Sequence, residues 1–206
     1  MSAPGRPKGE NRSAQPEGAP VTAPDDNGAT PRYAIGIDLG TTHNALSWVD
    51  IAASDGETTS HGVLPLPQLT APGTVESLPL LPSFLYLPHA DELPPGELAL
   101  PWAAAGTQVV GEMARRRGAA TPIRLVSSAK SWLCHPGVDR RAAILPPDAP
   151  PEVARVSPLD ASVRYLEHLR CAWDDAHPDA PFAAQDVTVT IPASFDPAAR
   201  ELTVQA

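Results

Sequence analysis

The amino-acid sequence predicts an α/β domain, a mixed sheet with helices packed on it. Three observations carry that expectation. In Tyr33-Ala34-Ile35-Gly36-Ile37-Asp38-Leu39-Gly40, bulky residues alternate with small ones, the period-two signature of a strand with one buried face. Between Pro158 and Ala176, apolar residues recur at three- and four-residue spacing, the stripe of an amphipathic helix. Asp186-Val187-Thr188-Val189-Thr190-Ile191 then alternates again and is closed by Pro192.

Taken in order, the first strand is joined to a second, Ala45 to Ile51, by the short link Gly40-Thr41-Thr42-His43-Asn44. The pair reads as an antiparallel hairpin. From Val63 to Pro101 the chain is rich in Leu and Pro, and pieces such as Ser83-Phe84-Leu85-Tyr86-Leu87 are confined by proline to edges and short runs. Val109-Val110-Gly111 reads as a short strand leading into a helix around Glu112–Arg117, and Ser127–Leu133 as another short helix. The long helix has Ser157 as N-cap, Pro158 at its first position and Asp160 in its first turn, each suited to the positive helix end. Its expected buried stripe is Leu159, Val163, Leu166, Leu169 or Arg170, and Trp173. Pro178 and Pro181 stop it. Asp196 caps a last helix with Pro197 at its start, and the chain ends inside that helix at Ala206. No strand follows, so the reading expects a domain cut short.

Composition narrows the class. Of 206 residues, 26 are proline, where average usage of about 5% would give roughly 10. Six of these fall in residues 1–31, a stretch with almost no large apolar side chain, which is expected to be a disordered tail. The domain is expected over 32–206. A net charge of −9 argues against nucleic acid or an anionic membrane surface as partner. Two cysteines, Cys134 and Cys171, make no secreted disulfide framework, and no run reaches the roughly 18–20 apolar residues of a membrane span. Neither does the start show the apolar core of a signal peptide, so a cytoplasmic protein is expected.

Chemistry concentrates at the first turn. Asp38 lies on the small-residue face of its strand, just before Gly40-Thr41-Thr42. Gly40 permits a tight bend, and the amides and hydroxyls of Thr41 and Thr42 are donors for phosphate oxygens. A carboxylate beside such a cradle suits Mg²⁺ held through water. On residue types alone, an ordinary hairpin with a polar turn explains the segment equally well.

Four segments, in matching order, resemble one family. Gly36-Ile37-Asp38-Leu39-Gly40-Thr41-Thr42 is similar to the first phosphate loop of the actin–hexokinase–heat-shock ATPase superfamily. Leu81-Pro82-Ser83-Phe84 is similar to the "TPS" strand of DnaK-type, 70-kDa heat-shock chaperones. Val110-Gly111-Glu112-Met113-Ala114, with Ser128-Ala129-Lys130-Ser131-Trp132-Leu133, resembles their "VGdxA … AKrLiG" region. Val189-Thr190-Ile191-Pro192-Ala193-Ser194-Phe195-Asp196-Pro197-Ala198-Ala199-Arg200 resembles "VTVPAYFNDAQR". The resemblance spans residues 33–206.

It implies an actin-like (ribonuclease H-like) ATPase lobe, incomplete at its C-terminus, as part of a chaperone that couples Mg-ATP binding and hydrolysis to the binding of unfolded polypeptides. Asp38 would position Mg²⁺ and its waters, while Gly40, Thr41, Thr42 and His43 would line the phosphate loop. Lys130 would contact the γ-phosphate and the attacking water, a charge-stabilising role; outside the resemblance it reads as a solvated helix lysine. Pro192 and Arg200 would relay nucleotide state toward a peptide-binding domain. The resemblance also implies a J-domain co-chaperone and a nucleotide-exchange factor as partners. His43 and Ser194 depart from the family pattern, and the region around Pro88–Trp102 is expanded. Segments of the type "NEPxAAAlaYG" and "DxGGGTxD" do not occur in this sequence. Binding of ATP by this chain alone is therefore expected to be weak and its turnover negligible.

Two alternatives stand beside this: a sugar-kinase-like relative, and a non-catalytic interaction module whose Pro-rich segments offer extended recognition sites. A zinc site at Cys134, His135, His168 and Cys171 is disfavoured by the adjacency of the first pair. Arg115, Arg116 and Arg117 read as a solvated helix face.

Overall fold

The computed structural model of the chain describes residues 30–54 and 57–206. Of the expected tail, all but Thr30 and Pro31 lies outside the described residues.

The central layer is a sheet in the order β10 (Asp186–Thr190), β1 (Tyr33–Leu39), β2 (His43–Asp50), β3 (Ser60–Val63), with a short strand β6 (Leu81–Pro82) also paired to β2. β1 and β2 form the expected antiparallel hairpin, in a register that places Ile37 opposite Leu46 and Asp38 opposite Ala45. β3 continues the meander. On the other side, β10 runs parallel to β1, with Ile37 beside Val189 and Asp38 beside Thr190. A parallel neighbour requires a crossover, and the long helix α3 (Pro158–Ala176) supplies it.

The period-two pattern of β1 does what its composition dictates. Tyr33, Ile35, Ile37 and Leu39 are buried, while Asp38 on the opposite face is exposed. Against this buried face packs α3, whose Trp173 is fully enclosed and donates its indole N–H to the Ala180 carbonyl at 2.8 Å. Tyr33 meets the Trp173 ring edge-on at 5.1 Å, the preferred aromatic geometry.

The cap of α3 is as expected and more complete. Ser157 Oγ accepts from the Asp160 N–H, and Asp160 accepts in return from the Ser157 backbone, a full capping box. Its buried stripe is rotated from the one expected. Leu169 and Trp173 are in it, but Pro158, Ala161, Ser162, Tyr165, His168 and Ala172 are its other buried residues, and Leu159, Val163 and Leu166 are only half-buried. Val163 and Leu166 instead line an apolar groove of about 930 Å³ along β10, together with Val187, Val189 and Val204.

The Leu/Pro-rich stretch holds more regular structure than expected. β4 (Leu66–Ala71) and β5 (Thr74–Leu78) form a separate hairpin turning at Pro72-Gly73, with Gly73 at φ +65°. After β6 (Leu81–Pro82), β7 (Phe84–Tyr86) is flanked by β8 (Val109–Val110) and β9 (Leu125–Ser127) in a three-stranded sheet. α1 (Glu112–Ala120) packs on it, three residues longer than expected. Ser127 belongs to β9 and not to a helix. Ser128 adopts a left-handed conformation (φ 55°) that separates β9 from α2 (Ala129–Leu133). α4 (Pro197–Gln205) closes the chain, capped by Asp196 as expected. Among the described residues, no helix is long and apolar enough to cross a membrane.

Candidate functional site

Asp38, the Gly40–His43 turn and Pro192 lie at or just beyond the carboxyl ends of the parallel strands β1 and β10. In open α/β sheets this is where ligands bind. The chain leaves β1 at Leu39 and turns through Gly40, Thr41 and Thr42 before re-entering the sheet at His43. The turn is tight because residue 40 has no side chain: a Cβ there would stand 2.0 Å from the His43 carbonyl oxygen. Thr41, Thr42 and His43 are exposed.

Ser83 anchors the turn from below. This buried serine donates its hydroxyl to the Gly40 carbonyl at 2.8 Å and its backbone N–H to the Thr42 carbonyl at 2.9 Å. The strand β6 that carries it into place pairs with the start of β2 at His43 and Asn44. Asp38 projects from the open face, where the Thr190 hydroxyl lies 3.2 Å from its Oδ1 and 3.3 Å from the Ile37 carbonyl.

Beyond Thr190, β10 runs into Pro192 and the turn that precedes α4. Arg200, on the first turn of α4, reaches back to the carbonyls of Phe195 (3.1 Å) and Ala193 (3.4 Å). Pro192 and Arg200 therefore belong to one structural unit, bound through backbone carbonyls. Phe195 is buried, and its ring centre lies 5.7 Å from the Lys130 ammonium, within reach of a cation–π contact. Lys130 sits on α2, next to Ala129, which packs in one apolar cluster with Leu39 at the end of β1. Asp38 and the Gly40–His43 turn thus follow one another at the end of β1, while Lys130 stands over the Phe195 ring in the segment that Pro192 opens and Arg200 holds.

Sequence reasoning passed over four contributors. Ser83 and Thr190 were within quoted motifs but held no role. Asp196 was read only as a cap, yet its carboxylate also receives Arg140 at both oxygens (2.9 and 2.5 Å). Arg140 and the Ala199 N–H together draw the Asp196 carboxyl down to about 2. A further signal was open to counting: of 15 basic residues only Lys8 and Lys130 are lysines. Lys130 is thus the sole lysine of the described residues, in a chain that otherwise uses arginine. A flexible point charge and a planar fork are not interchangeable.

The remaining titratable clusters are engaged elsewhere. His168 is buried, its ring nitrogen Nε2 2.9 Å from the Pro67 carbonyl and its ring edge-on to Trp102. Cys134 donates to the Lys130 carbonyl, and burial pushes its thiol up. The arginines of α1 are ion-paired and not simply solvated: Arg115 and Arg116 converge on Glu112, and Arg117 on Glu92.

The turn fits a phosphorylated ligand with Mg²⁺ on three counts. A backbone turn stripped of a side chain at Gly40 allows close approach, threonine hydroxyls are exposed, and one carboxylate, that of Asp38, precedes the turn. No cluster of three His, Cys, Asp or Glu forms a cation cage among the described residues. A single carboxylate suits Mg²⁺ that keeps its waters and phosphate ligands.

No protein-family model matches the chain, and no curated protein matches it at a significant level.

Proposed function

We propose that this chain is the ATP-binding part of a molecular chaperone of the 70-kDa heat-shock type, forming the first lobe of an actin-like nucleotide-binding domain. One observation carries the reading. Three of the resembling segments, far apart in sequence, carry the candidate residues: Asp38 and the Gly40–His43 turn end β1, Pro192 follows β10, and Lys130 stands 5.7 Å from the ring of Phe195 in the Pro192–Arg200 segment. The antiparallel meander β3-β2-β1, extended by a parallel strand reached through a helix, supports an actin-like lobe.

In this reading the Gly40–His43 turn receives the β- and γ-phosphates of ATP. Asp38, steadied by Thr190, orients water bound to Mg²⁺, and the bound ion supplies neutralisation of the phosphate charge. Lys130 would add a mobile positive charge where charge develops during phosphoryl transfer. Arg200 holds the Pro192 turn by its carbonyls, so a change at β10 is passed to α4. Unfolded polypeptides, a J-domain co-chaperone and a nucleotide-exchange factor are the partners this activity calls for.

The reading is tested by titrating the isotope-labelled chain with Mg-ATP and following backbone amide resonances. Shifts are expected at Asp38, Gly40, Thr41, Thr42 and Lys130, reduced when Mg²⁺ is withheld. An unresponsive β1–β2 turn at millimolar Mg-ATP would overturn it. A sugar bound at the same turn and phosphorylated there would move the chain to the kinases.

A further inference from the structure

Arg140 is the point where three elements are tied together. Its guanidinium holds both carboxylate oxygens of Asp196, at 2.9 and 2.5 Å, and its Nε donates to the His135 carbonyl just after α2, at 3.4 Å. Its own carbonyl accepts from the Leu159 N–H in the first turn of α3, at 3.2 Å. Asp196 in turn caps α4 through the Ala199 N–H at 2.7 Å. The Arg140 side chain is 10% exposed and that of Asp196 42%, so what sets this pair apart from a loose surface ion pair is its two-point, charge-assisted geometry, not burial of both partners.

Asp196 follows Phe195 directly, and the Phe195 ring is the surface over which the Lys130 ammonium stands. α2 is only five residues long, too short to hold its own orientation. What fixes Lys130 is therefore its surroundings: Ala129 in the apolar cluster below, the chain after α2 bound to Arg140, and Phe195 beside it.

We propose that Arg140 and Asp196 are positioning residues for Lys130. Their ion pair locks the exit of α2 to the entrance of α4, and so keeps the Phe195 ring under the ammonium. The role of Lys130 toward phosphate rests on the function proposed above; its placement by the pair does not.

The two-lysine composition makes the test direct. Lysine-selective ¹³C labelling gives two ε-methylene signals, one from Lys8 and one from Lys130. In the unaltered chain the Lys130 signal should be displaced by the Phe195 ring current and show a nuclear Overhauser contact to its ring protons. Asp196→Asn keeps an N-cap acceptor for Ala199 but loses the charged, two-point grip. In this variant the Lys130 signal should move toward that of Lys8 and lose the ring contact, while helical circular dichroism is retained. Arg140→Gln, made in parallel, should do the same.

Mg-ATP separates the two claims. If the unaltered Lys130 signal responds to Mg-ATP, its affinity should fall several-fold in Asp196→Asn. No response in the unaltered chain sinks the proposed function and leaves the positioning claim to the ring contact. A Lys130 signal and ring contact unchanged in folded Asp196→Asn and Arg140→Gln would overturn the positioning role.

Discussion

His168 makes the stability of this protein sensitive to mild acid. It sits on the buried face of α3 with its Nε2 against the Pro67 carbonyl. A carbonyl only accepts, so Nε2 carries the proton and Nδ1 does not in the neutral ring. Burial depresses the imidazole from 6.5 to about 4, the Pro67 bond offsetting only part of that loss. An unfolded chain takes up this proton near pH 6.5, whereas the folded one resists until about pH 4. Between those values the unfolded state binds more protons, so stability falls as pH falls and levels off below about 4. At about 1.4 kcal/mol per pH unit, the interval is worth about 3 kcal/mol, a large share of the 5–15 kcal/mol typical of a domain. Replacing His168 by Gln retains an amide donor for Pro67 and removes the titration. Urea denaturation from pH 7 to pH 4.5 should show the unaltered chain losing more than His168→Gln. Stopping at pH 4.5 realises about 2 kcal/mol of that interval, so with an m-value of about 2 kcal/mol/M the excess is about 1 M in the midpoint. The carboxyls held low by arginines, Glu112 and Asp196 among them, are common to both proteins and cancel in the difference. Parallel midpoints for the two proteins across that range would refute the argument.

Three substitutions probe the architecture that carries the site. Gly40→Ala places a methyl 2.0 Å from the His43 carbonyl oxygen; the turn must open, and calorimetric titration should find Mg-ATP bound at least about tenfold more weakly, or about 1.4 kcal/mol. Trp173→Ala removes the largest enclosed side chain and strands the Ala180 carbonyl; thermal unfolding should report a loss of about 3–5 kcal/mol. Gly111→Ala forces a side chain onto φ +92° with its Cβ 2.5 Å from Gln68 Oε1, the same oxygen that accepts the Glu112 N–H. About 1–3 kcal/mol from the backbone alone is expected, read as a lowered melting temperature without loss of the β1–β2 amide pattern.

The elements legible in the sequence were those with strong local signals. The β1–β2 hairpin, α3 with its Ser157 cap, β10 and the Asp196-Pro197 start of α4 all formed where alternation, capping residues and proline placed them. Each depends on neighbours within a few residues, so a linear reading suffices. The β4–β5 hairpin turns at Pro72-Gly73 and carries Pro67 inside its first strand, in a stretch whose prolines confined any strand to edges and short runs. A two-stranded ribbon tolerates such a proline because each strand has an outer edge that needs no donor.

What the order of residues determined by itself was chemical inventory: a carboxylate before a glycine-threonine turn, two lysines amid thirteen arginines, a proline and an arginine framing the start of the last helix. Partners across the chain were decided by tertiary structure alone. Parallel pairing of β1 with β10 brings Asp38 to Thr190 across 152 positions of sequence, and Arg140 reaches Asp196 across 56. Such contacts form because burying the apolar faces of β1, β10 and α3 leaves one mutual arrangement, and hydrogen bonds of that range leave no periodic trace in a sequence. The same packing set the buried stripe of α3 by which residues face the sheet, so Ala161, Ser162, Tyr165 and His168 are enclosed beside Leu169 and Trp173 while Val163 and Leu166 face the groove.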